Sequence, residues 1–143
     1  MPESISELLK FLQKGNAAME HLLSDAAEKW QLSVSELQII LFLDRMPQLD
    51  TARDVTLHCG MSKASVSGNV LRLATRGLLT VDVDLRDRRF QHLTLTEQAS
   101  PIIQDTGKRI MQLDAQLHAV LSEEESDLLR ALLARINENI AEI

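Results

Sequence analysis

Between Met61 and Thr94 the hydropathy period changes once, and that change limits what the chain can fold into. Over residues 62–76 apolar side chains fall at Val66, Val70, Leu71 and Leu73, the spacing of one buried helical stripe. Ser62, Ser65, Ser67 and Asn69 are expected on the opposite face, with Lys63 and Arg72 among the polar positions of the same helix. Gly77 follows where a helix end needs a left-handed residue. Leu79, Val81 and Val83 then alternate with Thr80, Asp82 and Asp84, and Phe90, Leu93 and Leu95 follow the charged run Leu85-Arg86-Asp87-Arg88-Arg89. The pattern predicts a helix followed by a β-hairpin with an arginine-rich tip. A helix with a small polar face fits a major groove, and arginines on a narrow tip reach phosphates or the minor groove.

The segments before this stretch read as helices. Ile5, Leu8, Leu9, Leu12, Met19, Leu22, Leu23 and Ala26 recur at three and four, predicting a helix to about Trp30 with a bend or a loosened turn at Gly15-Asn16. Ser33 with Glu36 is a capping box for a second helix, with Leu37, Ile40, Leu41 and Leu43 inward and Pro47 beyond its end. Leu49-Asp50-Thr51 is short enough to add a minor third strand. Thr51 caps a third helix with Val55 and Leu57 buried, and Gly60 ends it. Thr56, Gly60 and Val66 approximate helix-turn-helix spacing: a small residue for close approach, a glycine for the turn, an aliphatic to lock the second helix.

Ser65-Val66-Ser67, Arg76-Gly77-Leu78-Leu79, Asp84-x-Arg86-Asp87-x-Arg89 and Leu93-Thr94-Leu95-Thr96, in that order, resemble the MarR (multiple antibiotic resistance regulator) family of winged helix-turn-helix transcriptional regulators. The resemblance implies a mainly α fold with a small β-hairpin wing, read as one domain over 1–143. A winged lobe spans 33–95, and the helices at 1–30 and 96–143 serve dimerisation. It implies a homodimer on double-stranded DNA with a palindromic operator, no enzymatic activity and no cofactor. It further implies release by a small aromatic or phenolic effector, whose binding residues are unknown. Ser62, Lys63, Ser65, Ser67, Asn69 and Arg72 would contact DNA from the recognition helix, and Arg86, Asp87, Arg88 and Arg89 from the wing. Within the wing, Asp87 would brace an arginine and Arg89 would enter the minor groove. Gly68 departs from the arginine that many similar proteins carry there, which shifts sequence preference onto the serines, Lys63 and Asn69, or onto DNA shape.

Net charge is −6, an unpromising figure for a DNA-binding chain, but its distribution is uneven. Residues 60–92 hold six basic against three acidic side chains, a local +3. Local charge governs phosphate attraction, because fields are screened over about 8 Å at physiological salt. The acidic flanks also restrain non-specific binding.

After the hairpin, Thr96 opens a helix predicted to run to about Val120, with Ile103, Ile110, Leu113, Leu117 and Val120 on one face and Pro101 in its first turns. Ser122 with Glu125 caps a last helix carrying Leu129, Leu132, Leu133, Ile136 and Ile140, and Ile143 closes its stripe. Leu8, Leu12, Leu22, Leu132, Leu133, Ile136 and Ile140 exceed what a small winged lobe can cover. They are expected to hold a second copy together with the first; a three-helix bundle within one chain is the competing arrangement.

A single cysteine, Cys59, excludes an internal disulfide framework and reads as a small hydrophobe. The four histidines lack ligand spacing, so no metal site is expected. No nucleophile elbow, phosphate loop or paired-carboxylate arrangement supports an enzyme. The start lacks a signal-peptide pattern and no apolar run could span a bilayer, which predicts a cytoplasmic chain without membrane partners. Trp30, Leu32, Phe42 and Met46 could wall an effector pocket or fill the core. An alternative function is a winged-helix protein-interaction module without DNA binding, working through the terminal helices or the acidic surface.

Overall fold

In a computed structural model, which describes residues 1–141, six α-helices and one two-stranded hairpin follow the predicted order. The elements are α1 (Glu3–Lys29), α2 (Val34–Arg45), α3 (Ala52–Cys59), α4 (Lys63–Thr75), β1 (Leu79–Val83), β2 (Gln91–Leu95), α5 (Ser100–His118) and α6 (Glu123–Ala141). The chain divides into two units, 1–107 and 108–143. Ile143 lies outside the described residues.

In the first unit, α1 runs unbroken through Gly15 and Asn16, which do not interrupt the helix. A glycine inside a helix costs about 1 kcal/mol relative to Ala, too little to break a helix of 27 residues. The end of α1 is a Schellman turn: Leu32 N–H donates to Ala27 O at 2.9 Å and Gln31 N–H to Glu28 O at 3.1 Å. Gln31 takes the left-handed conformation there, at φ 55°, where glycine is usual. The capping boxes at Ser33–Glu36 and Thr51–Asp54 both form, so α2 and α3 start where expected.

The core joins Leu23, Ala26 and Ala27 of α1 to Leu37, Ile39, Ile40, Phe42 and Leu43 of α2. Val55, Val66, Val70, Leu73, Leu79, Leu93 and Ile102 close it from the other elements. Phe42 is buried in this cluster, and Trp30, Leu32 and Met46 are partly buried against it, as core residues are. Two sequence expectations fail here. Leu57 and Leu71 are 68% and 69% exposed. Each stands two residues from an inward neighbour, Val55 or Leu73, and two residues rotate a helix by about 200°, onto the outer face.

β1 and β2 pair antiparallel, Leu79 opposite Leu95 through Val83 opposite Gln91. Leu79 and Leu93 face the core, whereas Val81 and Val83 stay exposed, so the alternation holds only at the hairpin base. Residues 49–51 form no third strand. One isolated bridge, Thr51 with His92, and a bond from Leu93 N–H to Asp50 O at 2.7 Å tie the start of α3 to β2. Thr96, whose hydroxyl donates to Gly77 O, precedes a single 3-10 turn, Glu97–Ala99, before α5 begins. Pro101 has no N–H to give an α-type bond, so a tighter turn leads the chain into α5.

In the second unit Ser122 and Glu125 exchange reciprocal bonds, 2.8 and 3.2 Å, at the start of α6. Among the described residues α6 buries none of its side chains, and Leu132, Leu133, Ile136 and Ile140 are exposed. On α1, Leu8 and Leu12 are likewise exposed and Leu22 is half-buried. No helix among the described residues is long and apolar enough to cross a membrane.

Candidate nucleic-acid interface

The turn between α3 and α4 is made by Gly60 at φ 64°, a conformation that a Cβ would strain. Ser62 then caps α4, its hydroxyl accepting from Ser65 N–H at 3.1 Å. With Val66, Val70 and Leu73 anchored in the core, the opposite face presents Ser62, Lys63, Ser65 and Ser67 to solvent. Five of the six residues expected to read DNA from this helix are therefore open to a ligand, since the Arg72 side chain is 60% exposed.

Asn69 is not placed as expected, and Arg72, though exposed, is engaged by α2. Asn69 is 2% exposed, its amide donating to Ser65 Oγ at 3.3 Å and its carbonyl accepting from the Arg72 guanidinium. Arg72 turns toward α2, where its Nε donates to Glu36 Oε1 at 2.7 Å. The reason is periodicity. Residue 69 falls between Val66 and Val70 on the inner side of the helix, and its amide is tolerated there because both ends find partners. No sequence signal joined Arg72 to a glutamate 36 residues away.

The wing loop is braced by its aspartates. Asp84 Oδ1 accepts from the backbone N–H of Arg86 at 2.7 Å and of Asp87 at 3.0 Å. Asp87 accepts from Arg89 at Nε and Nη2, the latter at 2.8 Å, so the fork of Arg89 is held while its side chain remains exposed. That pairing lowers the Asp87 pKa and raises that of Arg89. Arg86 and Arg88 are exposed on the same loop.

Recognition helix and wing meet around one cleft of about 640 Å³. Lys63 and Ser67 line it from α4, Arg88 and Arg89 from the wing, and Arg53 and Thr56 from α3. Arg53 was missed by the sequence reading, although its place just after the Thr51 cap, away from Val55, puts it on the outer side of α3. Cys59 is half-buried beside this turn, and burial pushes its thiol pKa up, as for a packing residue. Among the described residues, no three His, Cys, Asp or Glu side chains are grouped to hold a metal ion.

Residues 30–89 match the sequence model of the MarR family. The chain is also similar in structure to a MarR transcription regulator from Oenococcus oeni, at 23% identity and TM-score 0.63, covering 92% of this chain and 98% of that one. Escherichia coli MarR in its apo form matches at 17% identity and TM-score 0.72, over 95% and 96%. The MepR–DNA complex of S. aureus matches at 18% identity and TM-score 0.67, over 94% and 95%. The matched segment contains the whole of α2, α3, α4 and the arginine-bearing wing loop up to Arg89; over it the chain is similar in sequence to the MarR family, and the solved structures share its winged fold.

Proposed function

We propose that the chain is a sequence-specific double-stranded DNA-binding regulator of transcription that works in the cytoplasm as a homodimer. The observation that carries the reading is the cleft at which Lys63 and Ser67 of α4 converge with Arg88 and Arg89 of the wing. A cationic cleft edged by hydroxyls, on a chain of net charge −6, concentrates phosphate attraction where a helix and a loop can straddle a groove edge. A structural relative in complex with DNA, MepR, supports the same use of the fold. In this reading α4 lies in the major groove with Ser62, Lys63, Ser65 and Ser67 toward the bases, and Arg86, Arg88 and Arg89 follow the flanking minor groove. The winged lobe spans 33–95. The exposed apolar faces of α1 and α6 are covered by the second copy, and a small aromatic or phenolic molecule modulates binding.

Selection of genomic fragments with the purified protein tests the reading. The expected product is an imperfect palindrome with half-sites about 34–36 Å apart, as a two-fold dimer requires. Ser67→Ala should lower affinity for that site while leaving the melting temperature nearly unchanged. Failure to enrich any duplex would refute DNA recognition. Addition of phenolic and aromatic acids to the bound complex then tests release.

A further inference from the structure

A polar network ties the recognition helix to α2. Glu36 is a buried carboxylate whose two oxygens are divided between two elements. Oε2 accepts from Ser33 N–H at 2.9 Å in the α2 capping box, and Oε1 accepts from Arg72 Nε at 2.7 Å. Arg72 in turn satisfies buried Asn69. A buried charge needs such partners, because an unpaired one bears the whole cost of desolvation. Gly68 lies beside this arginine: a Cβ there would make an ordinary contact, 3.4 Å, with Arg72 Nη1.

One turn further on, Arg76 repeats the arrangement. Its guanidinium donates to Gln31 O at 2.8 Å and to Trp30 O at 2.9 Å, the carbonyls of the Schellman turn that ends α1. The two arginines thus fasten the same helix to both sides of the α1–α2 junction. That junction is itself tied to α5, since Lys29 and Trp30 donate to the two oxygens of Asp105 at 2.7 and 3.0 Å.

We infer that Arg72, with Arg76 in support, is a positioning residue for DNA recognition: it docks α4 on the α1–α2 junction through Glu36 and thereby sets operator affinity without touching phosphate or base. The inference rests on the DNA-binding reading above. Arginine suits this role because its rigid fork sets two separate nitrogens, Nε on Glu36 and Nη2 on Asn69, where lysine has one nitrogen to serve both acceptors. A phosphate contact would instead tolerate lysine.

The experiment compares wild type, R72Q, R72K, E36Q and the double variant E36Q/R72Q on the selected operator across a salt series. R72Q and R72K should each lose about tenfold in affinity, the scale of one charge-assisted hydrogen bond, with the salt slope unchanged. The double variant should lose no more than either single one, since both break one link. Near-wild-type binding by R72K, with a slope about 0.9 shallower for R72Q, would make Arg72 a phosphate contact and overturn the inference. Full affinity in all variants would overturn it as well.

Amide hydrogen exchange across residues 66–73 without DNA supplies an independent arm. Exchange should quicken in R72Q and E36Q, and an unchanged rate overturns the mooring. If wild type binds no duplex, the DNA reading falls and the exchange arm alone decides the network. Should R72Q fail to fold, R76Q carries the same comparison, because its partners are exposed carbonyls at a helix end.

Discussion

The Nε2 atom of His92, on β2, lies 2.9 Å from a carboxylate oxygen of Asp84 at the mouth of the wing loop. Its other ring nitrogen lies 2.9 Å from Asp50 Oδ1, ahead of α3. Only the imidazolium can donate from both nitrogens at once. The Asp84 bond first, then the Asp50 bond, raises the His92 pKa above 6.5. The same contact, with the Asp87 and Arg86 amides, lowers Asp84 from 3.8 to about 2. Because the histidine pKa is raised, its contribution to stability is complete below pH 6.5 and is lost as pH climbs through the folded value. Because the aspartate pKa is depressed, its contribution is present above pH 3.8 and is lost as pH falls toward 2. NMR titration of the His92 ring should give a midpoint above 6.5, and Asp84→Asn should bring it down further than Asp50→Asn. A midpoint insensitive to Asp84→Asn would contradict the clamp.

Arg88 and Arg89 should contribute mainly electrostatic affinity. Replacing both by Ala should weaken operator binding and reduce the salt dependence by up to about 0.9 log units per lost phosphate contact. Asp87→Ala should have a smaller effect, because it frees the Arg89 fork without removing its charge. Filter binding across salt concentrations measures both, and an unaltered slope in the double arginine variant would argue against phosphate engagement.

The exposed leucine and isoleucine faces of α1 and α6 should become buried in solution. Covering one such side chain contributes about 1.5–3 kcal/mol, so a few on each helix suffice for a stable dimer. Sedimentation should give a dimer at micromolar concentration, and Leu133→Asp with Ile136→Asp should give monomers that no longer bind the operator. Wild type that sediments as a monomer while protecting a palindromic site would rule out the dimer requirement.

Thr106 on α5 is fully buried, and among the described residues its hydroxyl has no hydrogen-bond partner. Exchange for the isosteric valine removes an unsatisfied polar atom without opening a cavity. Thr106→Val should therefore raise stability by about 1 kcal/mol, read as a shift in the urea midpoint at unchanged m-value. A loss of stability would mean that the hydroxyl is partnered in solution.

What the sequence determined by itself was local. Helix starts at Ser33, Thr51 and Ser122 and the glycine ends at 60 and 77 follow from capping and turn chemistry within four residues, and the hairpin with its charged loop from alternation. The same is true of Asp87 beneath Arg89, two positions apart. What tertiary structure decided was which polar side chain meets which distant partner. Asn69 reads as a polar surface residue by type, yet it is buried, and Arg72, exposed on the same helix, is held by Glu36. A short α3 could bury Val55 but had no neighbour for Leu57, and His92 found carboxylates 42 and 8 residues away. Periodicity gives the direction in which a side chain leaves its own helix. The depth of burial and the identity of the partner depend on where the neighbouring elements pack, and no window of sequence contains that.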